Sequence, residues 1–280
     1  MSCLPQFRVQ TLLATGIVTI DDVLCSCGRQ HRSAEECTGA THLVFPYRGL
    51  YVRHVGRDDA VAEANQVLFF NAGQGYSVSH PVDGGDGNLS IKLPEDVLRE
   101  LAPASQLRKG PEAVFLRQRR RIDARAQALV ALLRHGLREK AADTLEGETL
   151  TLTLVRRALG EATSHGTSAS WGLQKLVDRA KLVLSSDLAR RWTLADVAQL
   201  VGVSPVYLTQ VFRQVEGMPL YRYQLNLRLS RALDLLGDYS DLTMLALDLG
   251  FSSHSHFTFA FRKAYGCSPA EFKRSAHLSK

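Results

Sequence analysis

Apolar and polar positions alternate along the chain with two different periods. Between residues 40 and 93, Val, Phe, Tyr, Leu and Ile gather in short runs at 42–47, 50–55, 67–71, 76–80 and 88–93. Turn-forming clusters separate them: Gly56-Arg57-Asp58-Asp59, Gly73-Gln74-Gly75 and Asp83-Gly84-Gly85-Asp86-Gly87. Closely spaced short strands of this kind predict a small barrel or jelly roll. From Pro94 onward the period lengthens. Ile122, Ala126, Leu129, Leu133 and Leu137 recur at helical steps, which predicts an amphipathic helix. Its stripe serves either as a dimer seam or as packing against its own barrel. A second helical stretch is predicted over 148–162. Residues 163–170 are small, polar and aperiodic, the pattern of a linker. Beyond Trp171 every segment reads as helix: Leu173, Leu176, Val177, Ala180 and Leu184 share one face, and Thr193 is placed to cap the next helix.

The pattern sets three regions: 1–110 as a β domain, 111–165 as a helical connector with a dimerisation option, and 171–280 as an all-α domain. A length of 280 residues and 45% apolar composition suit two folded domains of ordinary kind. No apolar run reaches the roughly 18 residues that span a bilayer. Met1-Ser2-Cys3-Leu4-Pro5 lacks the basic start and apolar stretch of a secretory leader, so a cytoplasmic protein without a membrane is expected. Charge is unevenly spread. Residues 1–110 carry 10 basic and 12 acidic side chains, 111–170 carry 10 and 7, and 171–280 carry 14 and 9. A basic tail on a slightly acidic front half suits a nucleic-acid-binding C-terminal domain.

That tail contains an internal repeat. A shift of 48 residues lays Leu194 on Leu242, Val197 on Leu245, Ala198 on Ala246, Val201 on Leu249 and Gly202 on Gly250. After the turn the shift becomes 49: Leu208 falls on Phe257, Phe212 on Phe261, Arg213 on Arg262 and Gly217 on Gly266. Each copy reads as a helix-turn-helix, with a small Ala at the crossing, a Gly for the turn and a second amphipathic helix. Ser204-Pro205 suits the start of that second helix in the first copy. Between the copies, Leu225, Leu229, Ala232, Leu233 and Leu236 mark a connecting helix of about 16–18 residues, or about 24–27 Å. Its Arg228 and Arg231 either contact phosphate or pair with Asp234 or Asp238, and the pairing is the expectation. With the thickness of each unit added, that length suits two readers near one DNA turn, about 34 Å apart.

Over about 100 residues, Gln174 to Arg274, this domain resembles the AraC/XylS family of bacterial transcription regulators. The likeness is carried by Leu194-Ala195-Asp196-Val197-Ala198, Ser204-Pro205-Val206-Tyr207-Leu208, Leu249-Gly250-Phe251-Ser252-Ser253-His254-Ser255-His256-Phe257 and the run from Phe261 to Phe272. The N-terminal half is similar to the cupin-like sensory domains of many members. The resemblance implies an α+β two-domain protein: a cupin-like β-barrel with a helical extension, then an all-α domain with two helix-turn-helix motifs. It implies a regulator, more readily an activator, that binds double-stranded DNA and contacts RNA polymerase. It places Val206, Thr209 and Gln210 of the first copy, and Ser253, His254, Ser255 and Thr258 of the second, toward bases. Arg213, Arg262, Lys263 and Lys175 are placed near phosphates. Phe259 stands where members often have Arg; it cannot make the bidentate contact to guanine, though it can touch a thymine methyl.

For a sensing N-terminal domain, Phe45, Tyr51, Phe69 and Tyr76 are the candidate lining of a small-molecule effector pocket. Cys25, Cys27, His31 and Cys37 form the one metal-like set, a zinc or thiol-sensing option without standard spacing. Five cysteines at irregular spacing otherwise favour reduced thiols over a disulfide framework, and no cofactor is required. His42, His54 and His80 stand apart in sequence, and neither a Gly-rich phosphate loop nor a nucleophile–base motif is present, so an enzyme is not expected.

Overall fold

The computed structural model describes residues 7–28, 32–110, 112–160 and 171–276. The chain divides into two compact units whose main spans meet at Ser164 and His165. The expected linker at 163–170 lies outside the described residues.

The N-terminal unit holds two antiparallel sheets. Strands β1 (Phe7–Ala14), β2 (Thr19–Cys25), β3 (His42–Gly49), β6 (Gln66–Phe70), β8 (Asp86–Lys92) and β9 (Arg119–Arg121) form one sheet in the order β1-β2-β8-β3-β6-β9. Strands β4 (Tyr51–Val55), β5 (Asp58–Ala62) and β7 (Ser77–Ser79) form the other in the order β5-β4-β7. The five runs read from sequence are strands. The closed barrel is corrected: among the described residues no ladder joins the two sheets, and the β7 edge of the smaller one is met only by the 33–36 segment, through Ser33 and Glu36.

Four strands escaped the sequence pattern, and each breaks it for a physical reason. β2 carries Asp21 and Asp22 in the interior, where burial is tolerable because both are paired. Asp21 accepts from Thr11 Oγ1 at 2.7 Å and Lys92 Nζ at 3.0 Å; Asp22 accepts from Tyr47 OH at 2.5 Å. β1 is an edge strand with Phe7 and Val9 exposed. β5 begins on Asp58 and Asp59, inside what reads as a turn, because the β4–β5 hairpin closes on only Gly56 and Arg57. β9 is three arginines.

Helices α1 (Glu95–Leu101), α2 (Ala124–Arg138) and α3 (Thr144–Leu159) complete this unit. Asp123 and Asp143 cap α2 and α3 by accepting from the third backbone N–H beyond. The α2 stripe packs on its own domain: Ile122, Ala126, Leu133 and Leu137 share a core with Phe45 and Phe69 of the large sheet and with Leu154 and Leu159 of α3.

The C-terminal unit is helical among its described residues: α4 (Trp171–Ser186), α5 (Leu194–Val201), α6 (Pro205–Glu216), α7 (Leu220–Leu235), α8 (Leu242–Asp248), α9 (His254–Tyr265) and α10 (Pro269–Ser275). At 1.5 Å per residue, the 16-residue α7 is about 24 Å long.

Candidate nucleic-acid interface

Two bihelical units, α5–α6 and α8–α9, occupy the positions of the sequence repeat. In the first, Thr193 Oγ1 accepts from Asp196 N at 3.1 Å while Asp196 Oδ2 accepts from Thr193 N at 3.0 Å, a reciprocal capping box. The helix stops at Gly202, whose φ of +74° is the left-handed conformation that favours Gly. Ser204 then caps α6, with Pro205 at its first position. In the second unit Asp241 caps α8, Gly250 takes a φ of +77°, and Ser253 caps α9.

Apolar faces aim the second helix of each unit. Leu208, Val211, Phe212 and Val215 of α6 are buried with Val177, Leu184, Val197, Val201 and Tyr223. Phe257 and Phe261 of α9 are fully buried; Phe261 meets Phe257, Tyr265 and Phe272 edge-to-face, and Phe257 meets Phe251 at a tilt. The opposite faces are open. Val206, Thr209 and Gln210 are exposed on α6, and Val206 keeps 68% of its surface. His254 and Ser255 are exposed on α9, Ser253 is exposed at its cap, and Thr258 is half-buried. Some of these polar atoms are already engaged: Ser253 Oγ accepts from His256 N, Thr209 Oγ1 donates to Pro205 O at 2.9 Å, and Thr258 Oγ1 lies 3.4 Å from His254 Nε2. Phe259 is 69% exposed, an apolar side chain held out on the same helix.

The cations stand at the rims. Arg213 and Lys263 are exposed; Arg262 is exposed with Glu271 at 3.7 Å, too open for a strong pair. Lys175 is exposed over the Trp171 ring at 3.7 Å.

The connecting helix does more than space the two units. Arg231 pairs with Asp234, as its spacing implies. Arg228 does not pair with Asp234 or Asp238, and this corrects the expectation for it. Its guanidinium donates to Leu188 O at 2.7 Å and Arg190 O at 2.8 Å in the loop before α5, and to Gly250 O at 3.1 Å in the turn of the second unit. Gln224 Nε2, one turn earlier, donates to Arg190 O at 3.0 Å. One side chain thus ties the entry of the first unit to the turn of the second. A side chain at Gly250 has no room there: a Cβ would sit 2.2 Å from Ala189 O.

The N-terminal pocket candidates separate into two places. Phe45 and Phe69 lie in the main core, with Phe69 stacked on Phe115 at 4.1 Å. Tyr51 and Tyr76 belong to a second cluster with Val44, Ala62, Leu68 and Phe70. That cluster surrounds Arg53, which sequence reasoning passed over. Arg53 is fully buried, lies 3.8 Å from the Phe70 ring centroid, and donates to Phe69 O at 2.6 Å. Its Nε and Nη2 have no hydrogen-bond partner, and burial pulls its pKa down to about 10. The available signal was a charge two residues from Tyr51 on one face of an alternating strand.

The set of Cys25, Cys27, His31 and Cys37 does not assemble among the described residues. His31 lies outside them, Cys37 is exposed, and Cys25 and Cys27 are joined by a disulfide two residues apart. This corrects the expectation of reduced thiols throughout. His80, from β7's end, takes the third place.

These features define a DNA-binding domain of the double helix-turn-helix class. A family model described as a helix-turn-helix domain matches residues 197–275. Among curated proteins, the probable transcriptional regulator LumQ of Photobacterium leiognathi is 28% identical over 161 residues, covering 54% of this chain and 61% of LumQ. The regulator GadX of Escherichia coli is 34% identical over 100 residues, covering 35% of this chain and 36% of GadX. A solved AraC-type transcriptional regulator from Chromobacterium violaceum is 31% identical, with 38% of this chain and 95% of that one aligned and a TM-score of 0.36. The matched segments span about 36 and 61% of the length of these two curated relatives. Over its C-terminal domain the chain is thus similar to AraC-type transcriptional regulators.

Proposed function

We propose that the protein is a sequence-specific double-stranded DNA-binding regulator of transcription in the cytoplasm. The observation that carries this reading is the pair of bihelical units fixed to one another through Arg228. α6 presents Val206, Thr209 and Gln210 to one major groove, and α9 presents Ser253, His254, Ser255 and Thr258 to the next. Arg213, Arg262, Lys263 and Lys175 lie along the phosphates. Because the two reading faces differ, the site within one protomer is non-palindromic. Activation through RNA polymerase follows from the family resemblance, as does a cupin-like role for the N-terminal domain. A small anionic effector suits that domain, since Arg53 brings buried positive charge and two unpaired nitrogens to an aromatic cluster.

The test is selection of bound fragments from bacterial genomic DNA, followed by affinity measurements against salt. Neutralising four phosphates gives a slope of log K against log salt of about −3.6. Arg213→Ala and Arg262→Ala each reduce that slope by about one, without changing the preferred sequence. A slope near zero, or no fragment enriched, contradicts the reading.

A further inference from the structure

We propose that Cys25 and Cys27, once reduced, form with Nδ1 of His80 a binding site for a thiophilic divalent cation of the zinc class. This inference does not depend on the DNA-binding reading. One ligand atom from each of the three residues lies within 4.8 Å of the others. All three are more than nine-tenths buried, at 7%, 8% and 6% exposure. The fold brings them together from distant parts of the chain. Cys25 ends β2 opposite Asp86 of β8, and the 81–85 turn returns the chain from His80 to that strand.

The imidazole is set up as a ligand. Its Nε2 lies 2.7 Å from Asp86 Oδ2, and Asp86 is itself held by Asn88 Nδ2 at 2.5 Å. A carboxylate on one ring nitrogen fixes that nitrogen as the N–H and leaves the other with a lone pair, the usual outer support of a metal-bound histidine. Here that other nitrogen, Nδ1, is buried with no hydrogen-bond partner. An orphaned buried polar atom is costly, and a cation beside it removes the cost. Cys27 N–H donates to Cys25 Sγ at 3.4 Å, a contact that stabilises a thiolate. Two thiolates and an imidazole are soft and borderline donors, which select zinc-like ions over magnesium or calcium. A divalent ion cancels the charge of both thiolates, whereas a monovalent ion leaves one uncompensated in a buried site.

The two sulfurs are bonded to each other in the structure, so the disulfide and the ion-loaded form exclude one another. Conversion needs a two-electron reductant, such as a small thiol. Two equivalents of the thiol reduce the disulfide to two cysteine thiols and leave as their own disulfide. The cation then displaces the two thiol protons to solvent. The site is therefore open only under reducing conditions.

The experiment uses the full chain, reduced with a phosphine and kept free of oxygen. Titration with Cd2+ is expected to give an ultraviolet thiolate-to-cadmium band that saturates at one ion per chain and is displaced by Zn2+. On the unsubstituted protein, saturating Zn2+ slows alkylation of Cys25 and Cys27 by iodoacetamide at least about tenfold, read peptide by peptide, and leaves Cys37 unaffected. Cys25→Ser and Cys27→Ser abolish the band, Asp86→Asn weakens affinity by about 10–100-fold, and Cys37→Ser changes nothing. Absence of the band, protection that falls on Cys37 or Cys267 instead, or equal binding by the oxidised protein overturns the proposal.

Discussion

The two helix-turn-helix units share one frame and hold it by different means. The first relies on local devices: a reciprocal capping box, Pro205 at the start of α6, and a turn at Gly202 with open space around it. Its distinctive buried contact is ionic. Lys181 of α4, fully buried, meets Glu216 at the end of α6 at 2.5 Å, with the Tyr223 ring 5.4 Å away. The second unit has an aromatic interior and a turn pressed against another part of the domain, where Gly250 meets Ala189 and Arg228. The same glycine, at matching positions, is thus a local necessity in one copy and a joint between copies in the other. The bihelical frame is common to the two units, while the role of the turn differs with its surroundings.

Three substitutions and one condition break this comparison at different depths. The largest effect is expected for Lys181→Met, which removes the buried cation that pairs with Glu216 and faces Asp178 at 3.8 Å and destabilises the C-terminal domain by about 3–5 kcal/mol; chemical denaturation measures it. Next come the paired glycines. Gly250→Ala meets both the left-handed φ and the backbone oxygen of Ala189, and is expected to cost about 3 kcal/mol or more and to weaken DNA binding. Gly202→Ala meets only the φ, and is expected to cost about 1–2 kcal/mol with DNA binding retained. Equal losses at the two positions would remove the distinction between turn and joint.

The smallest effect concerns acid. The caps hold three carboxyls below their usual range: backbone N–H donation from Thr193 to Asp196, from Thr243 to Asp241, and from Ser268 to Glu271. A carboxyl depressed in the folded state contributes stability above its unfolded pKa of about 4, and that contribution is lost as pH falls through the folded value. Stability of the domain is therefore expected to hold between pH 7 and about 5 and to decline below about 4. Asp196→Asn and Asp241→Asn each flatten that decline in a denaturation series run at several pH values.

How much was legible in the sequence differs between the two halves. In the C-terminal half α5, α6 and α9 are amphipathic and capped by residues of the expected type, so period, Thr193, Ser204-Pro205 and the two glycines mark these elements. What escaped was the bridge made by Arg228, because its partners are backbone carbonyls, which carry no signature in a residue pattern. In the N-terminal half, β2 was missed because Asp21 and Asp22 sit inside with partners from other strands. The thiol set was read from closeness in sequence, which gathered Cys37 and His31; the fold instead brings His80, more than fifty residues further along, beside Cys25 and Cys27. Arg53 was passed over because a charge in a half-buried strand reads as surface until its neighbours are known.

The central claim is that one chain places two different reading helices in successive major grooves of one duplex. Hydroxyl-radical footprinting of a selected fragment, at protein concentrations that load a single protomer, tests it most directly. Two protected patches on one face, separated by about 10–10.5 base pairs, are expected. Substituting Gln210 by Ala should weaken only the patch read by α6, and substituting Thr258 by Ala only the patch read by α9. A single patch, or two patches that fade together with either substitution, would contradict the claim.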